Sequence, residues 1–132
     1  LLDRIDIQVE ITPVPFEKLS GQEATERSAD IRRRVMAARE LQNQRFASTP
    51  GVYCNAQMTP AQMQTFARPD AEGLARLKTA MERLDLSARA YDRILKVART
   101  IADLAGEEAI HKEHIAEAIH YRSLDRSSWG QK

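Results

Sequence analysis

Residues 87–106 read SARAYDRILKVARTIADLAG, with no proline and with glycine only at the end. Ser87 is a residue type that caps a helix N-terminus, and Gly106 suits the left-handed backbone that closes one. Between them Tyr91, Ile94 or Leu95, Ala98, Ile101 and Ala105 recur every three or four residues, so the stretch predicts a helix ending near Leu104 or Ala105. Such an apolar stripe has to be covered by other elements, and the flanking sequence supplies helices to do it.

Towards the C-terminus, a last helix near Lys112 to Tyr121 would bury Ile115, Ala118 and Ile119, followed by a polar tail. Towards the N-terminus, Asp70 can cap a helix whose stripe is Leu74, Leu77, Met81 and Leu84, separated from the next by Asp85 and Leu86. Thr59 followed by Pro60 reads as a cap and a first helical residue, opening a short helix that stops before Pro69. Residues 48–55 contain Pro50 and Gly51 and read as a loop. From about Thr25 to Phe46 there is no Gly or Pro, and Ile31, Val35, Ala38 and Leu41 mark one helical face, with arginines opposite.

The opening is different in kind. Ile5, Ile7, Val9 and Ile11 alternate with polar residues, which is the period of a half-buried strand, and Pro13 and Pro15 end it. A lone strand needs partners for its backbone donors and acceptors. The expected fold class is therefore mostly α: one strand, residues 1–15 with its linker, detached from partners in a domain upstream of this sequence, then a helical bundle over residues 16–132. The start at Leu1 without methionine fits a piece excised from a longer protein. Residues 5–11 are then expected to be disordered, folded against the helices, or paired with another chain.

At 132 residues the chain is long enough for one hydrophobic core without disulfides or a structural metal. With 20 Lys and Arg against 19 Asp and Glu, the net charge of +1 advertises neither nucleic acid nor an anionic membrane, so any such contact must be local. Cys54 is the single cysteine, which excludes an internal disulfide and suits a cytoplasmic chain; no run is apolar enough to span a membrane. His111, His114 and His120 are too scattered for a zinc site and read as surface histidines, and Cys54 has no basic partner nearby in sequence.

Three basic constellations remain. Arg4 sits where the strand begins, flanked by Asp3 and Asp6, and reads either as a local ion pair or as a guanidinium presented to a phosphate. Arg89 falls in the first turn of the 87–106 helix, where a cation opposes the helix dipole unless an anion is near; Arg93 and Lys96 share its face and Arg99 is turned partly away. An ordinary solvated face fits the same spacing. Arg27, Arg32, Arg33, Arg34, Arg39 and Arg45, with Glu26, Asp30 and Glu40, give the first long helix a local charge of +3. Arg32, Arg33 and Arg34 could touch DNA or another subunit, although the arginines surround the helix and no aromatic residues accompany them for base stacking.

The segments LLDRIDI, SARAYDRILKVARTIADLAG and HIAEAIHYR together resemble the C-terminal region of the magnesium-chelatase-like AAA+ ATPases, of the competence-protein ComM type, over Leu1 to about Arg122. The resemblance implies that the missing upstream domain is a nucleotide-binding α/β ATPase core, followed by a helical lid and assembled as a homo-oligomeric ring, commonly a hexamer, with ATP and Mg between subunits of the full-length protein. Arg4 matches the arginine of the LDRxD segment, implying an arginine finger acting in trans; Arg89 matches the arginine opening the SARA helix, implying the nucleotide sensor, with Arg93 as the other candidate. ComM-type relatives imply a DNA helicase promoting branch migration in natural transformation; no membrane partner is expected, because no run is apolar enough to span a bilayer. No Gly-x-x-x-x-Gly-Lys-Ser/Thr loop occurs in the sequence, so hydrolysis by this chain alone is not expected, nor a cofactor bound to it. The alternative is a helical module that binds DNA or protein independently of nucleotide.

Overall fold

In the computed structural model the residues described are 7–9 and 26–122. They form five α-helices in the order α1 Ser28–Arg45, α2 Pro60–Phe66, α3 Ala71–Leu84, α4 Ala88–Leu104 and α5 Lys112–His120, with a 3-10 turn at Asn55–Gln57 before α2.

Three helices start where a short polar side chain takes up an N–H that the helix cannot satisfy itself. Thr59 accepts from the Gln62 amide at 3.3 Å while its own amide donates to Gln62 Oε1 at 2.9 Å, and Pro60 occupies the first helical position without a donor to lose. Asp70 Oδ1 accepts from the Gly73 amide at 2.7 Å, and Ser87 Oγ from the Ala90 amide at 3.2 Å. Helix α4 closes at Gly106, whose φ of +73° lets its amide reach the Asp103 carbonyl at 3.1 Å and the Glu107 amide reach Ala102 at 2.9 Å. Ser87→Ala is expected to cost about 1 kcal/mol in urea unfolding and Ser87→Asp, which keeps the cap, far less. Equal losses from both variants would contradict the capping role.

Helix α4 is the centre of the domain, with α5, α1, α2 and the 3-10 turn packed on it and α3 packed on α5. Its inner face is Ala90, Ile94, Leu95, Ala98 and Ala102, so both members of the Ile94/Leu95 pair are buried, Ile101 is partly covered and Ala105 is exposed. Leu77, Ile110, Ile115 and Ala118 complete the fully buried centre. Helices α3 and α5 start side by side because Pro69 and Ile110 form a bridge, with the Asp70 amide donating to the Ile110 carbonyl at 3.0 Å. Gly73 allows that approach, since a Cβ there would lie 3.3 Å from the Ile110 carbonyl and 3.1 Å from Asp70 Oδ1.

Three expectations need correction. On α3, Leu77 of the expected stripe is buried but Leu74 is exposed. On α1, Ala38 is buried together with Gln42, whereas Ile31, Val35 and Leu41 are exposed. The bundle covers α1 only around Ala38 and Gln42, so the covered face runs through Gln42 rather than Leu41 and ends before Val35. The expected strand is not formed at residues 7–9, and among the described residues there is no strand, only the Pro69–Ile110 bridge. Instead the Gln8 amide donates to the Tyr121 carbonyl at 2.7 Å, which lays residues 7–9 against the end of α5 with Gln8 inward and Ile7 and Val9 outward. Arg4, Ile5 and Ile11 lie outside the described residues.

Candidate functional site

The exposed N-terminal tip of α4 carries the sequence-derived site. Arg89 is the second residue of the helix and is exposed, and Arg93, one turn on, is half-buried, as is Lys96. Ser87 uses its side chain on Ala90, so the tip is built by a cap and followed directly by a guanidinium. The positive end of the dipole and Arg89 together favour an anion at this place. A groove of about 510 Å³ opens beside the same turn, lined by Tyr91, Asp92 and Leu95 from α4 and by Met63, Arg68 and Leu74 from α2, the linker and α3.

The far end of α4 holds a polar knot that sequence spacing did not reveal. Asp103, fully buried, accepts from Arg45 through both oxygens, Nη2 to Oδ1 at 2.7 Å and Nη1 to Oδ2 at 2.9 Å. Asn55 Nδ2 donates to Asp103 Oδ2 at 2.9 Å, Asn55 Oδ1 accepts from Arg45 at 2.9 Å, and the Asn55 amide donates to Gln42 Oε1 at 3.0 Å. Arg99 is buried rather than turned to solvent: its Nε lies 3.2 Å from Asp103 Oδ1 as an ion-pair contact without hydrogen-bond alignment. Its remaining donors reach three carbonyls, Phe66 at 3.3 Å, Glu107 at 2.7 Å and Glu108 at 2.8 Å. Burial pushes the Arg99 guanidinium below its usual proton affinity and Asp103 pulls it back, and arginine stays charged throughout. One carboxylate and three carbonyl dipoles thus hold two cations and join α1, the 3-10 turn, α2 and α4 into one body. Arg45 belongs to this knot and is withdrawn from the arginine-rich face.

The other arginines of α1 remain on the surface. Arg33 lies 3.6 Å from Asp30, Arg34 pairs with Glu26, and Arg32 is exposed.

The histidines are not all surface groups. His114 is buried and accepts at Nδ1 from the His111 amide at 2.9 Å, closing the first turn of α5; His120 is exposed. His111 Nδ1 lies 2.7 Å from Asp70 Oδ2, linking the caps of α3 and α5, and its Nε2 lies 3.7 Å from Glu107. The hydrogen bond raises His111 above the usual 6.5 and the same bond lowers Asp70 below 3.8. The raised imidazole contributes stability that is complete below pH 6.5 and lost as pH rises through its folded value; the lowered carboxyl contributes stability present above pH 3.8 and lost as pH falls through its folded value. Both groups are more than a third exposed, so salt screens the pair. The Tm difference between wild type and His111→Gln is expected to be widest near pH 5 and to shrink as pH rises above about 6.5. A difference constant from pH 5 to 9 would remove His111 as the cause. Among the described residues no three His, Cys, Asp or Glu side chains gather as a metal site.

The sequence of this helical region is shared with known proteins. The family described as magnesium chelatase, subunit ChlI C-terminal, matches residues 25–122, and the chain belongs to that family. The competence protein ComM of Haemophilus influenzae is 37% identical over 126 residues, which is 95% of this chain and 24% of that protein. The protein YifB of Escherichia coli is 38% identical over 127 residues, again 95% of this chain and 24% of the relative. The chain therefore spans about a quarter of the length of the curated relatives it matches. Among the described residues no helix is long and apolar enough to cross a membrane.

Proposed function

We propose that this chain is the helical lid of a ring-forming AAA+ ATPase, in which Arg89, with Arg93 behind it, reads the phosphates of ATP bound by the preceding part of the polypeptide. Arg4 is the finger that reaches the nucleotide of a neighbouring subunit. The observation that carries the reading is the exposed Arg89 in the first turn of α4, at a helix tip already capped by Ser87 and continuous with a buried helix. A cation is tolerated there when it has an anion to meet. The knot around Asp103 supports a mechanical role, because it makes α4 part of one rigid body that can move with the nucleotide at its tip.

Magnesium and ATP would be held mainly by the preceding core; the donor set here, one exposed guanidinium and a half-buried one, suits a phosphate oxygen rather than a metal ion. One relative bears the name of a competence protein, and from the resemblance to it we take DNA branch migration in natural transformation as the task of the whole ring. In the full-length protein Arg89→Ala is expected to reduce ATP turnover roughly a hundredfold, with Arg32→Ala near wild type. The alternative, a nucleotide-independent DNA- or protein-binding module, predicts the reverse ranking in a DNA-binding assay and unchanged turnover for Arg89→Ala.

A further inference from the structure

The face that closes α1 onto the bundle is longer than the bundle. Ile31, Val35, Ala38 and Gln42 share it by helical spacing, and Ala38 and Gln42 are buried. Ile31 and Val35 remain 43% and 41% exposed, and no side chain between 28 and 37 is buried. A helical segment of about ten residues without a packed face is marginal in water, because nucleation is costly and only tertiary packing repays it. Single exposed apolar residues are ordinary, but a row on one face is not. Among the described residues the large exposed apolar side chains are also unevenly placed: Ile7, Val9, Ile31, Val35, Met36 and Leu41 all precede Gln42, leaving Tyr53, Leu74 and Leu104 for the rest.

We infer that this overhanging half of α1 docks on the part of the longer polypeptide that precedes this region, through an apolar surface rimmed by carboxylates. The relatives are about four times as long as this chain, since it covers 24% of each, so such a surface has somewhere to come from. The charge fixes its chemistry. Arg33 and Arg34 are occupied by Asp30 and Glu26, whereas Arg27, Arg32 and Arg39 have no ion-pair partner among the described residues.

A second copy of α1 is a poor occupant, because two arginine-rich segments would meet with like charge. A stripe about three turns long also falls short of the roughly 1,200 Å² that a stable interface between separate molecules needs. Within one polypeptide the tether supplies the effective concentration, so a small contact suffices. Nucleic acid would satisfy the arginines but leave Ile31 and Val35 in water.

Hydrogen–deuterium exchange of the full-length protein, compared with the 132-residue chain, tests this without ATP or DNA and so apart from the nucleotide reading. Amides of residues 28–37 are expected to exchange rapidly in the short chain and at least about tenfold more slowly in the full-length protein. Ile31→Asp with Val35→Asp should restore rapid exchange there while the α4 core over residues 94–102 stays protected. Equal exchange of residues 28–37 in the two proteins overturns the inference. So does protection that grows with protein concentration, which would assign the face to a second copy, or protection that appears only with added DNA.

Discussion

Asp103→Ala is expected to lower the unfolding free energy of the 132-residue chain by about 3–5 kcal/mol, the largest loss from any single polar substitution in the domain. The size follows from what stays behind. Arg45 and Arg99 are 14% and 4% exposed at their side chains, and without the carboxylate they become adjacent buried cations with Asn55 deprived of an acceptor. Truncating one partner of a buried pair exposes the desolvation penalty of the other, here twice over. For a domain of this size the fall in Tm should be at least about 12 °C. Arg45→Ala combined with Asp103→Ala should cost less than the two single losses added, because the double variant no longer buries the Arg45 cation. A loss below about 1 kcal/mol for Asp103→Ala would mean that the knot is neutral and α4 is held by apolar packing alone.

The helical framework was legible because its signals are local. Thr59, Asp70 and Ser87 cap the helices that follow them, and Gly106 ends α4, each through contacts within a few residues. Burial was less legible, since periodicity says which residues share a face and not how far the opposing surface extends. That is why Ala38 is covered and Ile31 is not. The knot was invisible because the bonds that tie α1 and the 3-10 turn to α4 join distant residues, Arg45 to Asp103 at a separation of 58 positions and Asn55 to Thr100 at 45. Nothing in the spacing of Arg99 marks it as buried; the hint was only that Arg99 and Asp103 lie four apart on one helix. Of the proposed site, Arg89 falls at the exposed tip of α4 and Arg93 half-buried behind it, while Arg4 lies outside the described residues. Its role rests on the LDRxD resemblance.

The second large effect belongs to Arg4. If it acts as a finger across the subunit boundary, Arg4→Ala should reduce ATP turnover of the full-length protein by about a thousandfold or more, the size expected when a guanidinium that stabilises the charge developing on the transferring phosphoryl group is lost. Acting in trans has a separate signature. Rings that mix Arg4→Ala subunits with subunits disabled in their own phosphate loop should regain turnover, since the intact loop of the first can meet the intact arginine of the second. A cis-acting arginine gives no recovery on mixing. Arg89→Ala subunits should behave the other way: they keep the loop but lose their own sensor, so mixing them with loop-disabled subunits restores nothing.

ATP hydrolysis by the full-length protein, with and without branched DNA, is the direct test of the lid assignment when wild type is compared with Arg4→Ala and Arg89→Ala at matched folding and ATP binding. The lid reading predicts loss of turnover in both variants and stimulation by DNA in wild type alone. Wild-type turnover in both variants would reduce Arg4 and Arg89 to structural ion pairs and leave a helical binding module in place of a nucleotide-reading lid.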